Sequence, residues 1–431
     1  MKLYIKIFVA IALFANTANA QTALTLQGYR DMVIKYNQQL KISNENISIA
    51  EDQLKMARTG YYPSLVGSAQ ANYLIDDQVK RFIGQELKDY GYDAKVTIQQ
   101  NVYTGGAVRA NVKAAKVGYS IMQESDKAVF QNVTYAADQT YWAFAAAAEQ
   151  KDIAKQFVSI VSELYDVLKE RYNQGYVSRL DLLMVETRLN EANIQYITAN
   201  KYYQNAIRSL NTMLGNNTPI EFSVVDSLHN VCHVGEILAK SNPIESNPEY
   251  RAASLNVDYS KKNVNITKSK YNPQFVVGVQ GVYGTPQMFN FTGNGSIYGV
   301  AFAQLNIPIF MWGQRRRDVS ISKSGITTSE FELTDTRDRI EGDLNSAKIN
   351  LVESNNEIDA ATNNLSVASQ TLDLNTFSYH EGQRTILDVL QSQLSWITAY
   401  TKFVNSHYNY KLAITEYNKA MGIYAEMYPE K

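Results

Sequence analysis

The chain has a single cysteine, Cys232, among its 431 residues, so no internal disulfide can staple it. Net charge is also lacking: 41 basic residues stand against 42 acidic ones, which argues against a nucleic-acid partner. Beyond the first twenty residues no run of about 18 apolar residues occurs, so a transmembrane helix is not expected and any entry into a membrane would be by strands. Proline is scarce, and none lies between Pro63 and Pro219 or between Pro308 and Pro429. Because a proline inside a helix costs about 3 kcal/mol, these two intervals are free to hold very long helices. Catalytic constellations are missing as well. No Ser-His-Asp or Cys-His arrangement has a workable spacing, and neither enzyme activity nor a cofactor is expected. Gly281-Val282-Tyr283-Gly284 and Gly293-Asn294-Gly295 lie in or beside strand-like runs, with no helix start placed to receive a phosphate. His229, Cys232 and His233 form the only cluster with metal-ligand character. Zinc needs three or four ligands in a fixed geometry, the nearby acids do not complete one, and no metal site is assigned.

What is present is a sequence written twice. Asn37-Gln38-Gln39-Leu40 returns as Asn247-Pro248-Glu249-Tyr250, and Tyr61-Tyr62-Pro63 returns as Tyr271-Asn272-Pro273, both at an offset of 210. Val102-Tyr103-Thr104-Gly105-Gly106 returns as Ile309-Phe310-Met311-Trp312-Gly313, now at an offset of 207. Tyr172-Asn173-Gln174-Gly175 and Leu180-Asp181 return at that same offset as Tyr379-His380-Glu381-Gly382 and Leu387-Asp388. One short deletion accounts for the change. The period is too long for a solenoid and indicates two copies of one large unit. Lys2, Lys6, the apolar run Ile7 to Phe14 and Ala18-Asn19-Ala20 read as a secretory signal over 1–20. The first copy is then expected over 21–228, a linker over 229–246 and the second copy over 247–431.

Each copy is expected to hold a long helical hairpin, over about 106–215 and 313–422. From the glycine at 106 to Tyr172 and from Gly313 to Tyr379, a continuous helix would reach about 100 Å. Heptads run along these segments. Leu182, Leu189, Tyr196, Tyr203 and Leu210 recur beside Val185, Ala192, Ala199 and Ala206. Val389, Trp396, Phe403, Tyr410 and Tyr417 recur beside Ser392, Ala399, Ser406, Ala413 and Ala420, and Leu344, Leu351, Ile358, Leu365 and Leu372 beside Ala347, Ser354, Ala361 and Ala368. Such stripes predict coiled-coil core packing in which small residues let backbones approach closely.

Strands are expected over about 63–75, 92–103, 273–284 and 296–309. Leu65, Gly67, Ala69 and Ala71 alternate with Val66, Ser68, Gln70 and Asn72, and Ala94, Val96 and Ile98 alternate with Lys95, Thr97 and Gln99. Strands of about ten residues with one apolar face suit a membrane barrel with a wet interior. Tyr61, Tyr62, Tyr90, Tyr92, Tyr103, Tyr271, Phe289 and Phe291 at their ends are candidates for interfacial girdles. Arg315-Arg316-Arg317 opposes the dipole of the helix it opens and reads as charges snorkelling beside a membrane rim, or touching acidic headgroups. Four strands cannot close a barrel and open edges are not tolerated in lipid, so the chain must oligomerise. Three copies would supply twelve strands.

Strand pair, long helix, glycine-centred turn and returning helix, duplicated behind a signal, resemble the TolC family of outer-membrane efflux proteins. The most specific stretches are Pro308-Ile309-Phe310-Met311-Trp312-Gly313-Gln314-Arg315-Arg316, similar to the family's strand-to-helix turn, and Tyr379 through Leu390, similar to its hairpin tip. The first copy of the turn carries Asn101 where the proline would stand. The resemblance implies a mixed α+β membrane protein: a homotrimer with a twelve-stranded outer-membrane β-barrel and an α-helical tunnel in the periplasm. It implies a passive exit duct for small molecules or proteins, docked at its hairpin tips, around Gly175 and Gly382, by a periplasmic adaptor and driven by an inner-membrane transporter. It also implies a gate at those tips. Tyr379 and Arg384 take two lock positions, Asp181 looks like their carboxylate partner, and Asp388 matches the first acidic ring position. The second ring position is Gln391, a departure from the family's double ring. The alternative from another class is a trimeric coiled-coil surface adhesin, which leaves the amphipathic strands and the duplication without a purpose.

Overall fold

The computed structural model describes residues 22–73, 90–218, 220–239, 243–284 and 295–429. The signal over 1–20 and the girdle candidates Phe289 and Phe291 lie outside the described residues. In chain order the elements are β1 (Thr22–Leu24), α1 (Leu26–Tyr36), α2 (Gln38–Thr59), β2 (Ser64–Tyr73), β3 (Tyr90–Tyr103), α3 (Ala107–Asn173), α4 (Arg179–Leu214) and β4 (Phe222–Val224). Then come α5 (Val234–Leu238), α6 (Pro248–Ser269), β5 (Gln274–Gly284), β6 (Ser296–Asn306), α7 (Gln314–His380), α8 (Ile386–Ala420) and α9 (Ile423–Glu426). Two helices of 67 residues, α3 and α7, occupy the proline-free intervals without a break. The last strand ends at Asn306 rather than at 309, because Pro308 has no N–H to donate to a ladder. The expected linker is not bare: it contains α5 and a 3₁₀ turn at Ile244–Ser246.

The chain forms two compact units, one of 1–42, 127–248 and 338–431, the other of 43–126 and 249–337. The second unit carries a four-stranded antiparallel sheet in the order β2-β3-β5-β6. Paired residues share a face, and every residue of one face is apolar or glycine through the sheet's middle. Leu65 pairs with Ile98, Ile98 with Val279 and Val279 with Ala301. The opposite face carries Ser68, Lys95, Val282 and Tyr298 in one row and Val66, Thr97, Gln280 and Val300 in the next. A bulge lies where Asn101 and Tyr103 meet Val276 and Phe275. Next to it Gly105 turns at φ +63° under Asn272, whose amide donates to the Gly105 carbonyl at 2.8 Å. Tyr271 departs from its expected place in a girdle. It is buried and donates its hydroxyl to Asp318, since the turn after α6 folds it onto the first turns of α7. Tyr61, Tyr62, Tyr92 and Tyr103 are exposed, as are Arg315, Arg316 and Arg317.

The first unit holds the largest core. Ala145, Ala146 and Ala147 on α3 are all buried beside Tyr141 and Phe144, so a run of small residues lets several elements approach this helix at once. The heptad columns are inside, as their period requires: Val185, Ala192, Tyr203 and Leu210 on α4, and Ala399, Tyr410, Ala413 and Tyr417 on α8, are buried. The three-residue strands β1 and β4 pair in parallel, a feature the sequence does not announce. Tyr141 donates to the Leu24 carbonyl at 3.0 Å and to Asp226 at 2.9 Å, and Asp226 also accepts from the Leu26 N–H.

The segment after β4 is pinned to the helices through His229, whose Nε2 lies 2.9 Å from Glu149. His407 packs edge-on to the His229 ring at 4.6 Å, with its Nδ1 3.0 Å from the Phe403 carbonyl. Lys411 donates to the Asn230 carbonyl at 2.6 Å. Among the described residues no three of His, Cys, Asp and Glu are placed to hold a metal ion. Burial is the main cause that holds His407 below its ordinary pKa of 6.5; His229 and Lys411 add to it, against the Phe403 carbonyl and Glu149. The unfolded chain therefore takes up this proton first, and stability is lost as pH falls through about 6.5. The thermal midpoint of this unit is expected to drop between about pH 7.5 and pH 5.5, and by less in His407→Gln. Equal drops in both proteins would remove His407 from the account.

Candidate functional site

The candidate site is the pair of hairpin tips, α3–α4 and α7–α8, and each is built from the same local rules. Helix α3 ends as Gly175 enters the left-handed region at φ +82°, with the Tyr176 N–H donating to the Arg171 carbonyl at 2.9 Å. Helix α7 ends the same way at Gly382, φ +75°, with the Gln383 N–H donating to Ser378 at 2.8 Å. Both are six-to-one closures of the Schellman type, which select glycine at that position. A Cβ at either glycine would meet open space, so only the backbone conformation requires it.

The returning helices start with capping boxes. The Ser178 hydroxyl accepts from the Asp181 N–H at 3.1 Å and the Asp181 carboxylate accepts from the Ser178 N–H at 3.3 Å. Thr385 and Asp388 repeat this at 3.4 Å and 3.0 Å. The backbone N–H and hydroxyl of Thr385 hold the Asp388 carboxyl below its ordinary range, with the Arg384 charge adding to them. Both acidic candidates are thus engaged in starting their own helices. The sequence signal was a Ser or Thr three residues before each Asp, repeated at the offset of 207.

The two tips meet in one apolar cluster. Leu168 of α3, Val185 of α4, and Ile386, Val389 and Leu390 of α8 are buried together, with Tyr379 of α7 packed against them. Burial there raises the Tyr379 pKa; the Arg171 guanidinium opposes this and Asp181 adds to it, so both charges reach the phenol. Arg171 lies 5.9 Å from the centroid of the Tyr379 ring and was not singled out by the sequence, since Ser378 stands at its place in the other copy. Arg384 does not join the group: it is exposed and has no ion-pair partner among the described residues. Around the tips Tyr176, Leu180, Phe377 and Leu387 are exposed, Leu180 and Leu387 being equivalent positions of the two copies.

A sheet with one apolar face, continued into long helical hairpins with matching capped tips, defines the class of membrane channels that combine strands with a helical extension. The chain belongs to the outer membrane efflux protein family, the TolC-like channels: the family model matches residues 29–216 and 241–422. It is 22% identical to the outer membrane efflux protein BepC of Brucella suis biovar 1, over 94% of this chain and 87% of BepC. It is 20% identical to the outer membrane protein TolC of Escherichia coli K12, over 98% of this chain and 87% of TolC. Among solved structures, the CmeC outer membrane channel of Campylobacter jejuni matches with a TM-score of 0.77 at 19% identity, covering 92% of this chain and 85% of CmeC. The family is one of efflux channels, and the chain is an outer-membrane protein whose helical part lies in the periplasm.

Proposed function

We propose that this chain is the outer-membrane exit duct of a tripartite export system. Three copies close a twelve-stranded barrel, with 21–228 and 247–431 as the two repeats of each and 229–246 as the linker between them. Transport is passive, and small molecules or proteins are driven through by an inner-membrane transporter coupled through a periplasmic adaptor. The observation that carries this reading is the apolar face shared by β2, β3, β5 and β6, opposite a face that mixes polar and apolar side chains. Lipid outside and water inside a barrel ask for that division. A coiled-coil adhesin has no use for it.

At the tips, Tyr379, Arg384 and Asp181 form the lock and Asp388 the acidic ring. Support comes from the influence of Asp181 on the Tyr379 phenol and from the exposure of the Arg384 guanidinium, which leaves it within reach of an acid of a neighbouring copy. Charge-assisted bonds at a narrow constriction bias the gate toward closed, and a bound partner shifts it toward open. The adaptor docks on the turns at Gly175 and Gly382, where Leu180 and Leu387 offer exposed apolar contacts.

The test is single-channel conductance of the mature chain in a planar bilayer, beside Asp181→Asn with Arg384→Ser. Small, cation-leaning openings that grow several-fold in the variant are expected. Openings of unchanged size would remove the lock and keep the duct. A folded trimer that forms no channel would remove the duct.

A further inference from the structure

The two copies diverge where the short helices and the strands meet the long helices. At the end of α2 and the start of α3 the first copy has Arg58, Gly60, Val108, Arg109 and Ala110. The offsets of 210 before the strands and 207 after them turn these into Lys268, Lys270, Arg315, Arg316 and Arg317. Three positions that pack closely in the first copy are thus cationic in the second. Val108 closes on Gly60, where a Cβ would stand 3.0 Å from the valine, and Ala110 is buried. Their counterparts, and the two basic residues beside them, are all exposed.

The backbone brings the five charges to one place. Helix α6 runs back along α7, with the Thr267 and Ser322 hydroxyls 2.7 Å apart and the Tyr271 hydroxyl donating to Asp318. These contacts set Lys268 and Lys270 near the first turn of α7 and engage the first acid of that helix with a phenol. Successive residues of a helix point about 100° apart, so Arg315, Arg316 and Arg317 fan around the turn and do not converge on one point. A fan suits a layer of headgroups better than a single small anion.

The chain just before this turn is apolar and bare. Leu305 lies on the apolar face of the sheet, and Ile307 and Ile309 continue its alternation past the end of β6, all three exposed. Phe310 and Trp312 follow, also exposed, with their rings edge-on at 5.0 Å. Trp312 alone among the described non-glycine residues has a positive φ, +46°, at the place where the first copy has Gly105. A bulky side chain is rarely held in that conformation, and at 90% exposure packing within the chain does not account for it.

We infer that the start of α7, with Arg315, Arg316, Arg317, Lys268 and Lys270, binds the phosphates of anionic phospholipid headgroups, while Trp312 and Phe310 enter the lipid beside them. The inference deepens the membrane-barrel reading and rests on it. Two arguments name this occupant. The first is charge: five clustered cations, in a chain whose net charge is only −1, call for an anion, and guanidinium groups take phosphate oxygens two at a time. The second is continuity. The patch begins where the apolar side of the sheet ends, and tryptophan next to basic residues is the composition that membrane interfaces favour.

The experiment is fluorescence quenching of Trp312 in the full chain, reconstituted in phosphatidylcholine vesicles. Trp142→Phe and Trp396→Phe remove the other two tryptophans. Should that background not fold, the difference between the unaltered chain and Trp312→Phe gives the same signal. An acyl-chain spin label is carried by phosphatidylglycerol or, in parallel, by phosphatidylcholine. Each basic residue near an anionic headgroup contributes about fivefold in affinity, so half-maximal quenching is expected at about a tenfold lower fraction of the anionic label. Arg315→Gln, Arg316→Gln and Arg317→Gln together should abolish the preference, the three changes to lysine should keep most of it, and Arg109→Gln should leave it unchanged. Equal quenching by the two labels, or a preference that survives the triple glutamine variant, would overturn the inference. A preference lost on adding inorganic phosphate at constant ionic strength would assign the patch to a free anion and overturn the lipid. Quenching by neither label, from a protein that is trimeric and conducts ions, would set the turn against a neighbouring copy and overturn the inference while leaving the barrel. A folded monomer without conductance would overturn the barrel reading and this inference together.

Discussion

Replacing Asp138 with alanine is expected to destabilise the first unit by about 3–5 kcal/mol, the range for breaking a buried ion pair from one side. Asp138 on α3 is 2% exposed. It accepts from the Arg30 Nε at 2.6 Å, from a second Arg30 nitrogen, and from the Tyr424 hydroxyl. One carboxylate thus ties α1 and α9 to the centre of the core. Burial is the largest single influence on Arg30 and would lower its pKa; the hydrogen bond and charge of Asp138, with Tyr424, together hold it above its ordinary value. Without the carboxylate, a guanidinium that is only 13% exposed loses its counter-charge and a buried phenol loses its acceptor. Removing both charges as Arg30→Met with Asp138→Leu should recover most of the loss, because no unpaired charge remains. Denaturant unfolding of the full chain in detergent reads both. An alanine variant with an unchanged midpoint would show that the network is not holding these elements together.

Gly105→Ala is expected to be nearly as damaging, and Gly106→Ala much less, although the two glycines are adjacent and both have positive φ. An L residue in the left-handed region costs about 1–2 kcal/mol, and Gly106, with open space where its Cβ would be, should lose only that. At Gly105 the new Cβ would stand 2.6 Å from the Ser269 carbonyl oxygen and 2.6 Å from the Asn272 Cβ. Backbone has to move to admit it, which adds about 1–3 kcal/mol of overpacking. Trp312, at the equivalent place in the second copy, holds φ +46° where its turn is uncovered, so the conformation itself is within reach of a side chain. Unfolding midpoints of the two alanine variants separate the effects. Equal losses would mean that the close approach of the α6–β5 turn contributes nothing.

Much of the architecture was legible in the chain because it follows from local rules. Absence of proline left room for α3 and α7, alternation marked the faces of β2 and β3, and seven-residue spacing placed Val185, Ala192, Tyr410 and Tyr417 inside. The site was legible as positions and less so as roles. Tyr379 lies in the cluster where the tips meet, whereas Asp181 and Asp388 begin their helices as capping residues, which the Ser and Thr three places earlier already signalled. Arg171 had no repeat to mark it, and Tyr271 went inward because the nearby Asp318 offered its hydroxyl an acceptor.

The sequence by itself determined the duplication, the lengths of the long helices, the glycine turns and the sidedness of the sheet, because each depends on residues within one element or on a fixed offset. Tertiary structure alone decided the contacts between remote segments. The three-residue strands β1 and β4 are too short to carry a period, yet they pair across 200 residues because Asp226 and Tyr141 bring their ends together. Arg30, Asp138 and Tyr424 meet across separations of 108 and 286 residues. No spacing rule joins such residues. Burial does, because a charge or hydroxyl taken out of water must find its partner wherever the packed helices put one.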